Sequence, residues 1–581
     1  VNVIDWTVVV VLNGAIIAYG LYRSRETKTS SDWFLAARSL PWWIVGLSLW
    51  ATAIDSSDLI ADSGGTYRLG LSYFVANWVG TVIGWVLAAY FVVVPMYRAG
   101  MYTNAEYLEA RFGPSARVIS ALVQVLYRTV VLGIIATTIY LTLTIVCGWA
   151  PAVSWSVVVA IALLATVYTA LGGLRSVAVT DALQSVVMVL ASVILFAIVF
   201  KAVGGWTGIG ERLDSHQPGL ADQMLQIRHD HVTTEKVSAE SDVEIERMLL
   251  LGGEHDAGAQ TITRRTPAWL MAAGLILMGM SYSIVNHTQS MRLLGARSVW
   301  DLKMSATVAG AILLVTTFLN LMIGVMGRAL HPTLPPEVAQ YGNDSIYPLL
   351  VRDLAVGGYA GLIVAGVMAA CFSTYDSIGS ALSSLLVRDV YARLLVRDRD
   401  DRHYLRVGQW LTPAIIFGSF VYVPFILKEG MLAFYIGFLS AFVAPLLTIY
   451  LMGVFTRVHR RSGTIGMLVG VAFGVLRLLA PQIAINFGIA VLPPVLMDTY
   501  GAWLFGVVIT AATMLVVSLI YGWEKPGALL HESPQGWLRE SRDQLREQDQ
   551  SGGAPRSTVL PAVLALLVIA VGMVLSFVVF W

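Results

Sequence analysis

About 14 mostly apolar stretches, each long enough to cross a bilayer as a helix, run through this chain of 581 residues. A spanning helix needs about 20 such residues. The stretches fall at 2–22, 41–65, 70–97, 117–148, 152–172, 176–203, 267–293, 302–330, 357–388, 405–427, 430–455, 463–489, 498–521 and 558–581. The alternating period of a membrane β-barrel is absent, and the runs are too long for its strands. The first stretch lacks a basic leader and a small-residue cleavage site, so it reads as a true span and not a signal peptide. Composition agrees: 57% of residues are hydrophobic and 13% charged, where a soluble domain carries about 25% charged. Too little polar surface exists to cover several soluble cores, so lipid must cover the rest. The formal charge of +1 offers no attraction for nucleic acid. The expected fold is an all-α polytopic membrane protein.

Lys and Arg in short loops set the orientation. Arg23, Arg25, Lys28 and Arg38 follow the first stretch; Arg98, Arg111 and Arg117 follow the third. Arg393, Arg397, Arg399 and Arg402 follow the ninth, and Arg457, Arg460 and Arg461 the eleventh. All follow odd-numbered stretches, which predicts a cell membrane protein with both termini external. Two polar insertions remain. Residues 204–266 form an external segment whose His216, His229, His231 and His255 show no recurring metal spacing, so a solvated loop is expected. Residues 522–557 form a cytosolic linker in which Arg539–Asp549 reads as a short amphipathic surface helix.

Polar residues inside spans carry the most information, because a carboxylate at mid-bilayer costs at least ~2.5–3.5 kcal/mol. Asp55, Asp58 and Asp62 lie at i, i+3 and i+7, one helical face, among Ser56, Ser57 and Ser63. That composition suits a broken helix, whose freed carbonyls fit a hard cation; Asp55 and Asp58 could equally cap its second half. In the ninth stretch Ser373, Ser377, Ser380 and Ser384 draw a hydroxyl stripe beside Thr374 and Asp376. Such a stripe is either helix-packing glue or, with the carboxylate, an alkali-cation site. Gly172-Gly173 predicts a tight cytosolic turn, with Asp181 entering the membrane about one turn beyond it, as a possible complement to the helix dipole. Arg128 lies about 16 Å past Arg117 at 1.5 Å per residue, near mid-membrane. It either pairs with a buried acid or receives an anionic group of a solute. Cys147 and Cys371 sit in apolar segments and are expected to fill space.

Several motifs in order carry a resemblance. Phe34-Leu35-Ala36-Ala37-Arg38-Ser39-Leu40-Pro41-Trp42-Trp43 precedes the second stretch. Pro95-Met96-Tyr97-Arg98-Ala99-Gly100, Glu106-Tyr107-Leu108 and Arg111-Phe112-Gly113 follow. Tyr168-Thr169-Ala170-Leu171-Gly172-Gly173 leads to Thr180-Asp181 and Gln184, and Ser373-Thr374 leads to the exit Asp389-Val390-Tyr391. Over about residues 5–520 the chain resembles the sodium/solute symporters, most closely the sodium/glucose cotransporter branch.

That resemblance implies a leucine-transporter-type fold of two five-helix repeats in inverted topology. The layout is then a first helix and cytosolic loop (1–40), a first repeat (41–203), the external insertion (204–266) and a second repeat (267–455). Two accessory helices (456–521), the linker (522–557) and a last helix (558–581) follow. The resemblance implies a Na⁺ site made of the carbonyls of Ala51, Ile54 and Ala370 and the hydroxyls of Ser373 and Thr374. A second cation site would use Asp181, Asp376 and Ser377, where relatives usually carry a neutral residue at 376. Tyr282 falls at an inner-gate position, while the sugar-contacting positions become Asp58, Asn77, Gly279 and Gly437. With Asp55 and Arg128 these are the candidate solute or gate residues.

The implied function is sodium-coupled symport importing a small polar solute by alternating access, a sugar or sugar-like compound first among the candidates. Alternatives are a charged solute (a sialic acid or other carboxylate, an amino acid or a choline-like amine) and proton coupling in place of sodium. A transporter-like sensor is a further alternative, but no output domain follows the fourteenth stretch. No enzyme motif stands out, and no cofactor beyond the coupling Na⁺ is expected.

Overall fold

The computed structural model describes residues 2–24, 35–236, 254–256, 261–429, 431–487, 489, 491–524, 557 and 559–581. Among these, 12 helices are long and apolar enough to span a membrane, and 13 if one bent pair counts as a span. The stretch at 152–172 contributes a shorter apolar helix, Pro151–Val167. The expected surface helix at 539–549 lies outside the described residues.

The helices that build the centre are α1 (Val3–Ser24), α2 (Trp42–Ala53), α3 (Ser56–Leu69), α4 (Pro114–Leu141) and α5 (Pro151–Val203). From the second half come α6 (Ala268–Val285), α7 (His287–Leu294), α8 (Val299–Leu330), α9 (Tyr359–Leu385) and α10 (Met431–Phe455). The pair α2–α3 bends by 49° at Ile54-Asp55. The first helix of the second repeat breaks likewise, at Asn286 between α6 and α7. Inverted topology is visible in one backbone contact. Leu40, at the start of α2, pairs in parallel with Ala296, just past the end of α7; Leu40 N–H donates to the Gly295 carbonyl at 3.1 Å.

The loops with the most cations meet on one face of the molecule. Arg117 pairs with Glu109 at 2.6 Å and with Asp389 at 2.5 Å. Arg111 reaches the Gly453 and Val458 carbonyls and Glu524. Arg38, in the left-handed region at φ 53°, donates to the Tyr97 and Met101 carbonyls. The ends that sequence spacing put on one side are therefore joined by guanidinium bridges.

Burial divides the apolar residues by solvent. Trp50, Trp78, Trp85 and Trp503 are fully buried, and Trp50 Nε1 donates to Thr316 on α8 at 3.0 Å. Val559–Val579 instead leaves most of its apolar surface outward, as a lipid-facing helix does.

Two expectations change. Gly172-Gly173 is not a turn: helical structure runs through it from Pro151 to Val203, so Asp181 is not at a helix start and the dipole account does not apply. The insertion is not a plain loop either. It holds helices Gly205–His216 and Leu220–Leu225 and a sheet of β1 (His231–Lys236), β2 (Glu254–Asp256) and β3 (Thr261–Thr266), ordered β1-β3-β2 and antiparallel. Val232, Thr233 and Thr234 in β1 and Thr261, Ile262, Thr263 and Thr266 in β3 supply the β-branched residues such strands favour. His229 bonds Asp222 at 2.8 Å and His216 lies 3.2 Å from the Ala329 carbonyl, so these histidines serve separate contacts.

Gly324 lets α8 touch α3: a Cβ there would collide with the Ser63 carbonyl oxygen and lie 2.8 Å from Tyr67 N. Overpacking of this kind costs about 1–3 kcal/mol. Gly324→Ala should therefore lower the thermal midpoint of the purified protein. Gly418→Ala, where nothing lies within 4 Å, should leave it unchanged or raise it.

Candidate functional site

Two broken helices facing each other create the site. At the α2–α3 break, Asp55 is the N-cap of α3 and accepts from Ser57 N at 2.7 Å and Asp58 N at 3.3 Å. Asp58 returns the bond, accepting from Asp55 N at 2.7 Å. This capping box satisfies the N–H groups that the break exposes. Both acids therefore do cap the second half-helix. In the second repeat Asn286 plays the same part for α7, accepting from Thr288 N at 3.0 Å. In the sequence that break is marked only by the polar run Asn286-His287-Thr288 inside the apolar stretch 267–293.

The carbonyls freed at the end of α2 are met from two sides. Tyr282 on α6 donates to the Thr52 carbonyl at 2.6 Å, and Gln289 on α7 donates to the Tyr282 hydroxyl at 3.2 Å. Ser373 on α9 lies 3.1 Å from the Ala51 carbonyl and donates to Asp181 at 2.7 Å. The next residue, Thr374, has its Oγ1 2.9 Å from the Ala370 carbonyl one turn back along α9. Ala51, Ala370, Ser373 and Thr374 are fully buried and Ile54 nearly so. Ile54 is the last residue before Asp55, at the break itself.

Behind this cluster lies a charged pair that sequence reasoning half missed. Asp181 on α5 accepts from Ser48 at 2.6 Å and from Arg292 on α7 at 2.8 Å. Arg292 also bonds Ser48 at 2.8 Å, the Thr288 carbonyl at 2.9 Å and Ser377. Ser377 in turn lies 3.1 Å from Asp376. The three residues expected to form a second cation site are thus brought together, with the Arg292 guanidinium between Asp181 and Ser377. Arg292 sat in a polar segment read as the end of a span, where a basic residue draws no notice. Along the hydroxyl stripe, Ser380 donates to the Ser377 carbonyl and Ser384 Oγ has no partner.

Next to the α2–α3 break is a cavity. Asp55, Asp58, Asn77, Arg128 and Tyr282, all candidates from the sequence, line it. So do Asp62, Tyr73 and Tyr435, which were not placed there, and Met431 and Leu432 at the start of α10. Asn77 sits in a π-helical turn, Ala76–Thr81. That turn packs on Gly279, where any Cβ would strike the Ala76 carbonyl oxygen; Gly279 is thus a close-approach residue as well as a wall. Gly437 is not in the lining. Two residues past Tyr435 a helix has turned by about 200°, so Gly437 faces away, and its carbonyl accepts from Arg477 at 2.9 Å. Of the two roles open to Arg128, the salt bridge is absent: among the described residues it forms no ion pair. Its guanidinium lies over the Tyr282 ring, 5.7 Å from the centroid. Cys147 and Cys371 are free thiols.

The sodium:solute symporter family model matches residues 33–470. The chain belongs to that family. It is 26% identical to the sodium/glucose cotransporter 1 of Sus scrofa over 96% of its own length and 85% of the relative's. It is 27% identical to the sodium/glucose cotransporter 4 of Danio rerio, covering 96% and 84%. Its fold matches a solved structure described as the substrate-bound outward-open state of a Na⁺-coupled sialic acid symporter, with TM-score 0.70 and 19% identity, over 90% of this chain and 99% of that one. The symporter is a multi-pass membrane protein that couples solute movement to Na⁺, and it is not an enzyme.

In the symporter the Asp181–Arg292 pair is fully buried on both sides. Removing one partner of such a pair leaves an uncompensated charge and costs about 3–5 kcal/mol. Arg292→Met should therefore strongly lower unfolding temperature, and adding Asp181→Asn should recover part of the loss. Equal losses in the single and double variants would contradict the pairing.

Proposed function

We propose that one Na⁺ binds between the α2–α3 break and α9, held by the Ala51, Ile54 and Ala370 carbonyls and the Ser373 and Thr374 hydroxyls. The observation that carries this reading is the 3.1 Å approach of Ser373 Oγ to the Ala51 carbonyl. Four of the five oxygens already stand within hydrogen-bond reach of another member of the set. When Na⁺ arrives, the Thr374 proton turns away from the Ala370 carbonyl while Asp181 keeps the Ser373 proton, so the lone pairs of both hydroxyls face the ion. Five oxygen ligands of this kind, with no net charge, suit a monovalent hard cation.

The place of a second cation beside Asp181 and Ser377 is filled by the Arg292 guanidinium, so the stoichiometry we propose is one Na⁺ per solute. The solute occupies the cavity lined by Asp58, Asn77, Arg128 and Tyr282. The basic face of the molecule is cytosolic, as Lys and Arg in short loops require. The Met431 end of the cavity therefore faces outside, and both termini do too. Na⁺ pins α2 and α3 to α9, the solute enters, and the α10 start closes over it. Inward opening separates α2 from α9 and frees the ion, while Tyr282 lets go of the Thr52 carbonyl. One Na⁺ driven by about 2.3 kcal/mol per 100 mV and about 1.4 kcal/mol per tenfold gradient supports several-hundred-fold import. A small polar solute, a sugar or sugar-like compound first, is the occupant that the likeness to sodium/glucose cotransporters supports.

Sodium dependence tests the reading. Ser373→Ala removes a hydroxyl bonded to a charge, worth about 1.5–3 kcal/mol, so Na⁺ affinity measured by thermal shift should fall roughly tenfold to hundredfold. Unaltered affinity removes the site. Uptake should rise with Na⁺ along a hyperbola; a sigmoid rise would contradict the single ion.

The outer closure also predicts a pH response. Asp344, in the segment Gly342–Ser345, is buried against Gly64, and its carboxylate accepts from Met431 N at 2.9 Å. Burial pushes its pKa up to about 6, against the opposing Met431 bond and the Arg68 charge. Because the closed form raises this pKa above the usual ~3.9, closure is favoured at low pH and loses that contribution as pH rises through 6. Release of bound solute to the outside should be slower at external pH 5 than at pH 7.5, and Asp344→Asn should flatten the difference.

A further inference from the structure

The cavity carries more charge than the hydroxyls of a neutral sugar call for, and its charges sit on opposite kinds of wall. Arg128 on α4 is 1% exposed and lines it. Among the described residues its Nε and Nη2 have no hydrogen-bond partner. A buried guanidinium without acceptors is costly. Nε and Nη2 form one edge of the planar fork, the edge that matches the two oxygens of a carboxylate.

On the acidic wall the three carboxylates are not equivalent. Asp55 Oδ1 accepts from Ser57 N, from the Ser57 hydroxyl and from Asp58 N. Asp58 gives Oδ2 to Asp55 N. These two are partly occupied by the helix cap. Asp62 takes no part in the cap. It sits one turn beyond Asp58 on the same face of α3, is 5% exposed and lines the cavity beside Tyr73. A cap needs Asp55 and Asp58 but not Asp62; the third acid instead bonds the Tyr73 hydroxyl at the cavity wall.

We propose that the solute is a small zwitterion, its carboxylate held at Arg128 and its protonated amine held by Asp58 and Asp62. This rests on the reading of the cavity as the solute site. A neutral ligand leaves the Arg128 guanidinium without an acceptor and the acidic wall without a counter-charge. An anion adds to the acidic wall, and a simple amine leaves Arg128 without an acceptor. A molecule carrying both charges satisfies both walls at once, and complementary charge is what gives such a site its selectivity. Tyr282 and Asn77 remain for hydroxyls on the carbon frame between the two ends.

The test uses the purified full chain at neutral pH in saturating NaCl and calorimetric titration of four probes on one carbon skeleton. These are glucose, glucosamine, gluconate and 2-amino-2-deoxygluconate, which are neutral, cationic, anionic and zwitterionic. The zwitterion should bind at least about tenfold more tightly than each of the other three, as expected for a second charge pair in a desolvated site. Asp62→Asn should weaken both amine-bearing probes and strengthen gluconate. Arg128→Gln should weaken gluconate and the zwitterion and spare glucosamine. A wild-type-like thermal shift with Na⁺ shows that each variant is folded. Glucose binding as tightly as the zwitterion overturns the proposal, as does the absence of binding by all four probes. Either result with the Na⁺ shift intact leaves the sodium-coupled reading standing. Loss of the Na⁺ shift in the wild type counts against that reading alone, and the ranking of the four probes still decides the solute.

Discussion

A helix broken inside a membrane must find partners for its backbone, and the rest of this structure is arranged around that need. No water is at hand in the hydrocarbon to bond freed N–H and C=O groups, each costing several kcal/mol if left alone. At Ile54-Asp55 the two halves of the problem are solved differently. The N–H groups of α3 are closed internally by the Asp55–Asp58 capping box. The carbonyls of α2 are met by other helices: Tyr282 donates to Thr52, and Ser373 Oγ lies 3.1 Å from the Ala51 carbonyl. The first solution makes the break permanent. The second makes it conditional, because a hydroxyl can turn from donor to ligand and a helix can move away.

The inverted repeat doubles the device. Asn286 caps α7 as Asp55 caps α3, and the Tyr282 hydroxyl ties the second broken helix to the first. Arg292 on α7 then reaches Asp181 on α5 and Ser377 on α9. One buried cation so joins both repeats just behind the Ala51–Ser373 contact. A fixed guanidinium there does for the packing what a mobile ion would do only while bound.

Much of this could be read from the residues. Three acids on one face of an apolar stretch announced the break at 55, and the spacing of Ser373, Ser377 and Ser380 announced the facing helix. The cations of the odd-numbered loops announced one face, and Arg111, Arg117 and Arg38 do bridge loops there. What escaped depends on tertiary partners. Arg292 lies near a span end, and nothing in its neighbours says that it turns inward to Asp181. Arg128 pairs with no described acid although several stand close in sequence-derived topology. Its guanidinium instead packs on an aromatic ring, a choice set by the rotation of α4. Gly437 faced away for a similar reason: helix rotation decides which of Tyr435 and Gly437 sees the cavity, and hydropathy is blind to rotation in a helix that is apolar all round. Gly172-Gly173 misled because two glycines usually end a helix, whereas packing of α5 against α9 and α1 holds this one through them.

The central claim is that Na⁺ holds the unwound end of α2 against α9. Hydrogen–deuterium exchange of the purified chain in NaCl and in KCl reads this directly. The account predicts slower amide exchange in Na⁺, confined to residues 51–58 and 370–377, with no change in the exposed helix Gly501–Tyr521. Equal exchange in Na⁺ and K⁺ across both segments would contradict it.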